Sequence, residues 1–573
     1  MSLSSNRYLD SYQLELVQNT DPIKGRSVIT KKSINRGSVL TTSQPLGTVI
    51  LKPTEVCNYC CRVPVPTQSN TSPLQRCSRC KSAFFCDVGC FKNAWLSYHQ
   101  FVCQPSAHSK SLAEETEQHL DQEMLERVTL NVWRDKKRKT AMKTATSTDD
   151  SCITPNNMPL EETVDVTMEA FSSLMDHYER QPKHLLEQYT IIAKKALSQP
   201  YISDTGMTVP ELVRFLCRFK CNNFGIHDDQ LSIVGEGTYP IGSLLNHSCR
   251  PNAVVMFDGA LMIIRAIEDI PAGQEVTIAY VDAAHSRIYR QKALQEKYMF
   301  QCSCLRCDDT TIYGQIDTLL GEEESDWDRA QSLCDPSSGL GPRLLQDIED
   351  WDLLQMCQQF DRKHDGKPNI HQPLTVSTYT HYLIQYFAPY LWTTNNASIF
   401  QPASPGKRIE HLVTFDDPRP EAALPAVCDT YDDILRECIQ NIRQYPLGGM
   451  VPFRLTTLTT ATRLFYDEMA DSHWQNAVKL GMYILVQYCL LYPPYHPILA
   501  QHLLLLAKAC WNSIIQLELL EDGCGLEKVY ERGVRRWILL SKESIQCCFG
   551  KQGDQWREVL ELEWLFLREQ KLK

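Results

Sequence analysis

The pattern of hydrophobic and polar positions changes several times along the chain. Over 23–52, short β-rich runs (SVIT, SVLTTS, GTVILK) alternate with turns such as the one at 35–37, which predicts consecutive strands. Helical periodicity follows over 166–220, and 231–282 returns to short strands punctuated by Gly and Pro. The stretch at 270–276 repeats the turn-then-strand rhythm of 34–39. A β domain is therefore expected to be interrupted and then to resume.

Beyond residue 310 the pattern is mostly helical, with a Pro-rich, irregular stretch at 398–425. Amphipathic segments of helical length follow over 426–571: YDDILRECIQNIRQY, FRLTTLTTATRLFYDEMA, WQNAVKLGMYILVQYCLLY, ILAQHLLLLAKACWNSIIQLE and WREVLELEWLFLREQ. This succession predicts stacked helix pairs of tetratricopeptide (TPR) type. Trp474, Tyr483 and Tyr488 lie at helical spacing there, which favours packing over a peptide groove.

Length and charge narrow the class of protein. At 573 residues the chain exceeds the size of one hydrophobic core, so about two to four structural units are expected. The formal charge of −11 is spread along the chain, which argues against wholesale wrapping of nucleic acid. The sequence shows neither a run of 18 or more apolar residues nor the pattern of a secretory signal. We therefore expect a soluble intracellular protein without a membrane partner.

The 24 cysteines must then be explained in a reducing compartment, where clustered thiols usually hold metal. Between 57 and 103 the potential ligands form four close pairs: Cys57 with Cys60, Cys77 with Cys80, Cys86 with Cys90, and His99 with Cys103. Such a set matches two tetrahedral zinc ions, although spacing alone leaves open which pairs share an ion. Chance clustering or redox CxxC pairs are the alternative, and the repetition of pairs disfavours both.

A third cluster supplies the thiolates of Cys302, Cys304 and Cys307 and needs a fourth ligand. Cys249 is the best candidate because it follows 246–248 directly in a loop rich in turn residues. With no open position left, this zinc site would be structural. The other thirteen cysteines are expected to be small core residues, among them Cys217, Cys221, Cys489 and Cys510.

The string NHSCRPN at 246–252 is the most specific in the chain. Together with CSCLRC at 302–307 it resembles the SET domain and its post-SET zinc loop. The cysteine-dense segment, including Phe85 and Trp95, resembles a MYND finger. The order of these segments resembles the SET and MYND domain-containing (SMYD) family of protein-lysine N-methyltransferases over nearly the whole length.

The resemblance implies an α+β multidomain fold, in which a β-rich split SET domain carries an inserted MYND finger and a C-terminal all-α, TPR-like lobe follows. The expected boundaries are 1–52 and 221–285 for the two parts of the SET domain, 57–103 for the MYND finger, 104–220 for a helical insert with a flexible polar segment, 286–310 for the post-SET zinc segment, 311–425 for a helical connector with the irregular Pro-rich stretch and 426–573 for the TPR-like lobe. Within the polar stretch 105–165, the amphipathic piece MLERVTLNVW predicts a helix that a flexible insertion follows. In this family such a lobe narrows access to the substrate cleft.

The resemblance also implies how the finger holds its metal. Its ligands interleave, with Cys57, Cys60, Cys86 and Cys90 on one zinc, Cys77, Cys80, His99 and Cys103 on the other, and Cys61 outside the site. With the post-SET site this gives three zinc ions. The finger carries five basic residues against Asp87. Such fingers bind Pro-rich peptides or nucleic acid, but a solvated face on a structural module explains the charge equally well.

Methyl transfer from S-adenosylmethionine is the activity that the resemblance implies. The implied cofactor-binding residues are Lys24, Gly25, Arg26, Asn222, Asn246, His247, Tyr280 and Phe300. Tyr280 and Tyr239 are the implied catalytic residues, with the hydroxyl of Tyr280 at the methyl-transfer point and Tyr239 bordering the lysine channel. Each residue alone is more typical of a core aromatic, a turn or a cap, and only their joint order favours the enzyme. Ser27 stands where the family often has a second Gly.

The main alternative is a catalytically weak SET/MYND adaptor that recruits protein partners in transcriptional regulation. The presence of Asn246, His247 and Tyr280 favours the enzyme. DNA recognition is a weaker alternative, because the basic run at 136–139 is more typical of a solvated helix end or a nuclear-import signal. The expected partners are a histone or non-histone substrate with a target lysine, and Pro-rich or chaperone-tail peptides. The protein is expected to be monomeric, cytoplasmic and nuclear.

Overall fold

The computed structural model describes residues 3–18, 25–64, 74–104, 117–144, 164–317, 455–519 and 526–572, together with Pro342 and Leu345. Lys24, the Pro-rich stretch, the segment YDDILRECIQNIRQY and most of the predicted connector lie outside these residues. The chain forms two compact units. The first unit comprises Met1–Asn246, Val255–Thr277 and Glu296–Phe300, and the second comprises His247–Val254, Ile278–Gln295 and Gln301–Lys573.

Short strands carry the β part of the molecule. They are β1 (Leu14–Gln18), β2 (Arg26–Thr30), β3 (Val39–Ser43), β4 (Gly47–Ile50), β5 (Gln75–Arg76), β6 (Phe84–Phe85), β7 (Asn223–His227), β8 (Ile233–Thr238), β9 (Asn246–His247), β10 (Ala253–Asp258), β11 (Leu261–Ala266) and β12 (Thr277–Ile278). The sheet orders include β1-β2, β10-β11-β3, β4-β8-β7 and β5-β6. Strands β3 and β4 pair antiparallel with β11 and β8, so strands from both sides of the interruption share sheets. The predicted strands in 23–52 coincide with β2, β3 and β4.

The two turn-then-strand repeats also pair with each other. Ile34 and Ile270 form an antiparallel bridge, in which the N–H of each donates to the carbonyl of the other at 2.8 and 2.9 Å. Gly37 and Gly273 hold equivalent places in the repeats and both adopt φ 81°, a left-handed conformation that favours glycine. The resumption of the β domain is therefore visible both in the sequence repeat and in the pairing.

The helices before β7 are α1 (Leu3–Ser11), α2 (Val88–Ala94), α3 (Gln100–Val102), α4 (Glu117–Thr144), α5 (Val164–Ser173), α6 (Lys183–Leu197), α7 (Pro200–Ser203) and α8 (Val209–Asn222). A π-helical turn, Trp95–His99, joins α2 to α3. Helix α8 begins at a capping box between Thr208 and Glu211. It buries Leu212, Leu216 and Phe219 at the spacing that the periodicity predicts.

The amphipathic piece MLERVTLNVW lies in α4, as predicted. Helix α4 runs for 28 residues and contains the basic run, while 105–116 and 145–163 lie outside the described residues. Near its end Asp135 pairs with Arg138 at 2.8 Å and with Lys139 at 2.8 Å. These pairs at i,i+3 and i,i+4 stabilise a helix that carries few apolar residues there. Two of the four cations of the basic run, Arg138 and Lys139, are therefore paired with carboxylates.

Helices dominate the sequence after β12. They are α9 (Arg287–Tyr298), α10 (Ile312–Gln315), α11 (Leu455–Ala470), α12 (Trp474–Leu491), α13 (Pro497–Leu519), α14 (Leu526–Cys548) and α15 (Asp554–Leu572). Helices α11 to α15 pack successively, each against the next, as the periodicity predicts. Tyr483 is buried in this core. Pro497–Gln516 is long and apolar enough to cross a membrane by length and composition, but 61% of that window is buried within the protein, as in a core helix.

Candidate metal centres and cofactor site

Two groups of potential ligands form in the segment 57–103, called here the finger segment. One group is Cys57, Cys60, Cys86 and Cys90, and the other is Cys77, Cys80, His99 and Cys103. Within each group the ligand atoms all lie within 4.8 Å of one another. This is the grouping that the family resemblance implies, and it supplies the pairing that sequence spacing alone leaves open.

The distances fit a tetrahedral metal ion. The Sγ atoms of Cys60 and Cys86 lie 3.6 Å apart, and Cys80 Sγ lies 3.7 Å from His99 Nε2. Ligand atoms at about 2.3 Å from a tetrahedral zinc are about 3.8 Å apart, whereas a disulfide requires about 2.05 Å. Burial lowers the pKa of His99 to about 4, so its imidazole is neutral near pH 7 and Nε2 can bind a metal.

The same turn presents the first pair of ligands in each group. Cys61 donates its backbone N–H to the Cys57 carbonyl at 3.1 Å, and Lys81 donates to the Cys77 carbonyl at 3.0 Å. Both donors have φ 59°, so each chain reverses directly after its second cysteine. Cys61 lies outside the two groups, and burial raises the pKa of its thiol to about 12. Cys61 therefore stays a protonated core thiol near pH 7.

The finger segment is fixed to the turn between β10 and β11. Arg62 pairs with Asp258 at 2.7 Å across an exposed contact. Beside it Gly259 adopts φ 60°, and a Cβ at this position would lie 2.4 Å from the carbonyl oxygen of Cys60. This glycine therefore lets the backbone of the first ligand turn touch the hairpin.

A second connection runs through α4. The guanidinium of Arg127 lies 3.8 Å from the centre of the Tyr98 ring and donates to the carbonyl of Thr48 in β4. The hydroxyl of Tyr98 donates to the Asn58 carbonyl at 2.6 Å, within the first ligand turn. Arg127 is 7% exposed, so this buried cation links the finger segment to the sheet.

The third group is Cys249, Cys302, Cys304 and Cys307. Cys249 Sγ lies 3.6 Å from Cys307 Sγ, again about the ligand spacing of a tetrahedral zinc. The side chain of Gln291 bonds both the N–H and the carbonyl of Cys302, at 2.9 and 2.6 Å. The structure thus brings Cys249 to the three downstream cysteines, as the sequence predicts for the fourth ligand, and all four positions are protein atoms.

Two buried arginines accompany the third group. Asp317 accepts two hydrogen bonds from Arg290, both at 2.9 Å, and lies 3.5 Å from Arg306 Nε. Burial opposes the charge on Arg290, but the hydrogen bonds from its guanidinium to Asp317 raise its pKa overall. A zinc ion with four thiolates carries two net negative charges, so the two cations also compensate such a site. These residues could not be predicted from the sequence, because nothing in it connects positions 290, 306 and 317.

In the first unit the side chain of Asn246 joins two parts of the β domain. Its Nδ2 donates to the Arg26 carbonyl at 2.5 Å and to a Glu275 carboxylate oxygen at 2.8 Å. Both N–H bonds of the amide are therefore used within the protein. The carbonyl oxygen Oδ1 remains the atom of this side chain that can accept a hydrogen bond from an ammonium group.

In the second unit His247 holds the start of the segment after β12. Its Nδ1 accepts the backbone N–H of Tyr280 at 2.9 Å, and its Nε2 lies 3.2 Å from Cys249 Sγ. Burial lowers the pKa of His247 to about 4, so the ring is neutral and Nε2–H donates to the sulfur. The rings of His247 and Tyr280 lie 5.2 Å apart. One imidazole thus links a predicted metal ligand to the predicted catalytic tyrosine.

The other predicted cofactor residues of the first unit occupy distinct positions. Gly25 is exposed with φ 62°, and Arg26 begins β2 with its guanidinium 3.1 Å from the Ser173 carbonyl. Asn222 ends α8 and donates to the Met175 carbonyl at 3.1 Å. Phe300 is half-buried. The structure places Gly25 and Arg26 at a strand entry and Asn222 at a helix end, where backbone groups are accessible.

Tyr239 is fully buried, and its hydroxyl donates to the Ala260 carbonyl at 2.8 Å. Burial raises its pKa well above 10, so it remains a protonated donor. Its ring packs against Phe257 with centroids 5.5 Å apart. In this arrangement the ring of Tyr239 packs in the core of the first unit, and its hydroxyl is used in a hydrogen bond to the β10–β11 turn.

A family model described as the SET domain matches residues 25–281, a span that begins at the first predicted cofactor turn and ends directly after Tyr280. The histone-lysine N-methyltransferase ASHR1 of Arabidopsis thaliana is 27% identical over 296 residues, covering 50% of this chain and 54% of that protein. The histone-lysine N-methyltransferase SMYD3 of Mus musculus is 25% identical, covering 59% and 76%. The N-lysine methyltransferase SMYD2 of Homo sapiens is 29% identical, covering 50% and 58%.

The chain is similar to SET- and MYND-domain (SMYD) methyltransferases, and the SET-domain match covers 257 of its 573 residues. The match spans little more than half the length of the Arabidopsis and human relatives. Its β sheets, its cysteine-rich metal-binding groups and its C-terminal helical region are those of a SET-domain protein. The basic run in α4 gives little support to DNA recognition, because two of its four cations, Arg138 and Lys139, each pair with Asp135 and Asp165.

Proposed function

We propose that the chain is an S-adenosylmethionine-dependent protein-lysine N-methyltransferase, with a SET domain split by a two-zinc MYND finger and followed by a TPR-like lobe. The observation that carries the proposal is the SET-domain match over 25–281. Within it, Asn246 and His247 make the contacts described above at the positions that the family assigns to the cofactor. The printed names of the relatives, histone-lysine and N-lysine methyltransferases, support a lysine side chain of a protein as the acceptor.

S-adenosylmethionine would supply a methyl group on a positively charged sulfur. Because the Nδ2 of Asn246 is fixed by Arg26 and Glu275, its Oδ1 is held as an acceptor for the cofactor's ammonium group. The backbone at Gly25 is exposed, so the ligand can approach main-chain groups closely there. Binding therefore depends on preorganised acceptors, which raise affinity by reducing the ordering cost.

Methyl transfer to an amine is a direct displacement without a covalent enzyme intermediate, so its rate depends mainly on how the reactants are aligned. His247 accepts a hydrogen bond from the backbone N–H of Tyr280, so the backbone that carries the Tyr280 side chain is held in place. We assign the Tyr280 hydroxyl to the methyl-transfer point and the ring of Tyr239 to the wall of the lysine channel. Aromatic faces favour a cationic amine, and a held geometry supplies much of the rate enhancement of a displacement.

The three ligand groups would each hold one zinc ion, two in the finger segment and one behind the Asn246 loop. Each group provides four protein ligands, which leaves no open position and indicates structural sites. We further propose a histone or non-histone protein substrate, a cytoplasmic and nuclear location, and a finger that binds Pro-rich peptides. The basic residues of the finger support the last of these.

The test is calorimetric titration of purified, zinc-loaded protein with S-adenosylmethionine, comparing wild type, Asn246→Ala and Asn223→Ala. Asn223 is the matched control because its side chain also makes two hydrogen bonds in the same unit, donating to Glu236 at 2.7 Å and accepting from Thr238 at 2.6 Å. It carries no predicted cofactor role.

We expect saturable binding by wild type and by Asn223→Ala, and its loss in Asn246→Ala. A folded wild type that binds no cofactor would contradict the enzyme and favour the adaptor. Equal loss in both variants would show that Asn246 acts through the fold of the β domain alone.

A further inference from the structure

The segment that follows Tyr280 is held by the C-terminal helices. Tyr492, which caps the end of α12, donates its hydroxyl to a carboxylate oxygen of Asp282 at 2.7 Å. The same oxygen accepts the backbone N–H of Ala284 at 2.9 Å. Tyr492 is 4% exposed. The buried Tyr492 phenol is thus hydrogen-bonded to a turn that begins two residues after the predicted catalytic tyrosine.

Arg306 makes a second connection between the same two segments. This residue lies between two cysteines of the third ligand group, and it donates to the Leu491 carbonyl at 2.9 Å and to the Ala283 carbonyl at 3.2 Å. Leu491 is the last residue of α12. Consecutive residues at the end of α12 therefore contact consecutive residues of the turn, which defines one register between them.

The Tyr492 hydroxyl is well suited to this role. Burial raises its pKa well above 10, so the group remains a protonated donor near neutral pH. The ring of His496 stacks on it with centroids 4.5 Å apart and an interplanar angle of 24°, which limits rotation of the phenol. A hydrogen bond to a charged acceptor is among the strong ones in a protein.

We propose that Tyr492 is a positioning residue for methyl transfer. Through Asp282 it fixes the turn after Tyr280, while His247 fixes the N–H of Tyr280 itself, so the predicted catalytic tyrosine is held on both sides. The C-terminal helical region then supports the turn that follows Tyr280. This inference rests on the proposed methyltransferase function.

The test compares Tyr492→Phe with Tyr495→Phe in the full-length, zinc-loaded chain. Like Tyr492, Tyr495 lies between α12 and α13 and is buried. Its hydroxyl, however, donates to Glu543 of α14 at 2.6 Å. Each substitution removes one buried hydroxyl that is bound to a carboxylate. The two variants therefore differ in which segment loses its hydrogen bond.

Two readouts are measured. Hydrogen–deuterium exchange reports the amides of 280–284, and steady-state methylation of core histones and a lysine peptide library reports kcat and KM. For Tyr492→Phe we expect about tenfold faster exchange at Ala284 and a kcat about tenfold lower, the change that corresponds to loss of one hydrogen bond to a charged group. The KM for S-adenosylmethionine should stay within about twofold, since the cofactor contacts are untouched. In an Asp282→Ala background, Tyr492→Phe should add no further loss.

Equal effects of Tyr492→Phe and Tyr495→Phe on exchange and on kcat would overturn the proposal, as would an unchanged kcat with faster exchange. A wild type that transfers no methyl group to any probe would count against the proposed function. In that case the exchange data would still decide whether Tyr492 holds the turn.

Discussion

Gly259→Ala tests whether the first ligand turn of the finger segment depends on its contact with the β10–β11 hairpin. Gly259 has φ 60°, and an added Cβ would lie 2.4 Å from the Cys60 carbonyl oxygen. Gly273→Ala is the matched control, because Gly273 has φ 81° and nothing lies within 4 Å of its Cβ position. Both variants place alanine in the left-handed region, but only Gly259→Ala brings its Cβ against the Cys60 carbonyl oxygen.

The control should lose about 1–2 kcal/mol of unfolding free energy, the cost of a left-handed alanine. Gly259→Ala has this cost and must also move the Cys60 carbonyl, because real Cβ contacts are essentially never closer than 3.0 Å. Overpacking against fixed backbone adds about 1–3 kcal/mol. The displaced group is the backbone of a predicted zinc ligand, so metal retention should fall together with stability.

The assay combines the urea midpoint with the rate of zinc release to a chromogenic chelator. We expect Gly259→Ala to have the lower midpoint and to release the ion of the Cys57 group several times faster than wild type, while Gly273→Ala releases it at the wild-type rate. Equal midpoints and equal release rates in the two variants would refute the reasoning, because the hairpin contact would then contribute nothing.

Three further outcomes are expected. Elemental analysis should find three zinc ions per chain, and Cys302→Ser should lower the ratio by one. Asp317→Ala should destabilise the protein by about 3–5 kcal/mol because it removes the buried carboxylate that accepts two hydrogen bonds from Arg290, whereas Asp309→Ala, which removes a 70% exposed partner, should cost less than about 1 kcal/mol in thermal or urea unfolding. Burial lowers the pKa of His502 from 6.5 to about 4. Between these values only the unfolded state binds the proton, so stability should fall as the pH falls through this window, by up to about 1.4 kcal/mol per pH unit, and pH-dependent urea titrations of His502→Gln should show a shallower slope.

The local patterns predicted much of the fold. Strands β2 to β4, the return of strands after residue 231 and the helical spacing of α8 all follow from short-range periodicity, which the sequence contains directly. The ligand positions could also be read from the sequence, because paired cysteines at short spacing have few other uses. Their partition into two groups needed either the family or the structure, since spacing does not fix which pairs meet.

Long-range polar contacts could not be predicted. No local pattern distinguishes Arg290, Asp317 or Tyr492 from other polar residues in the sequence. Their hydrogen bonds join segments that are 27 and 210 positions apart in the chain. The full length of α4 could not be predicted, because apolar periodicity is confined to MLERVTLNVW. The polar second half of the helix is stabilised by charge pairs instead. The predicted role of Tyr239 stays a prediction, and the structure adds that its hydroxyl is already committed to a backbone carbonyl.

The pairing of strands from the two sides of the interruption has a consequence during synthesis. Strand β4 ends at Ile50, yet its partner β8 begins only at Ile233. At about 5–20 residues per second, a ribosome needs about 10–40 s to deliver that partner. Until then the edges of β3 and β4 lack the strands that later cover them, although every residue of β4 is buried in the finished fold. The inserted finger and α4 emerge during this interval, and packing of α4 on Gly47 would shield the waiting strand from other nascent chains.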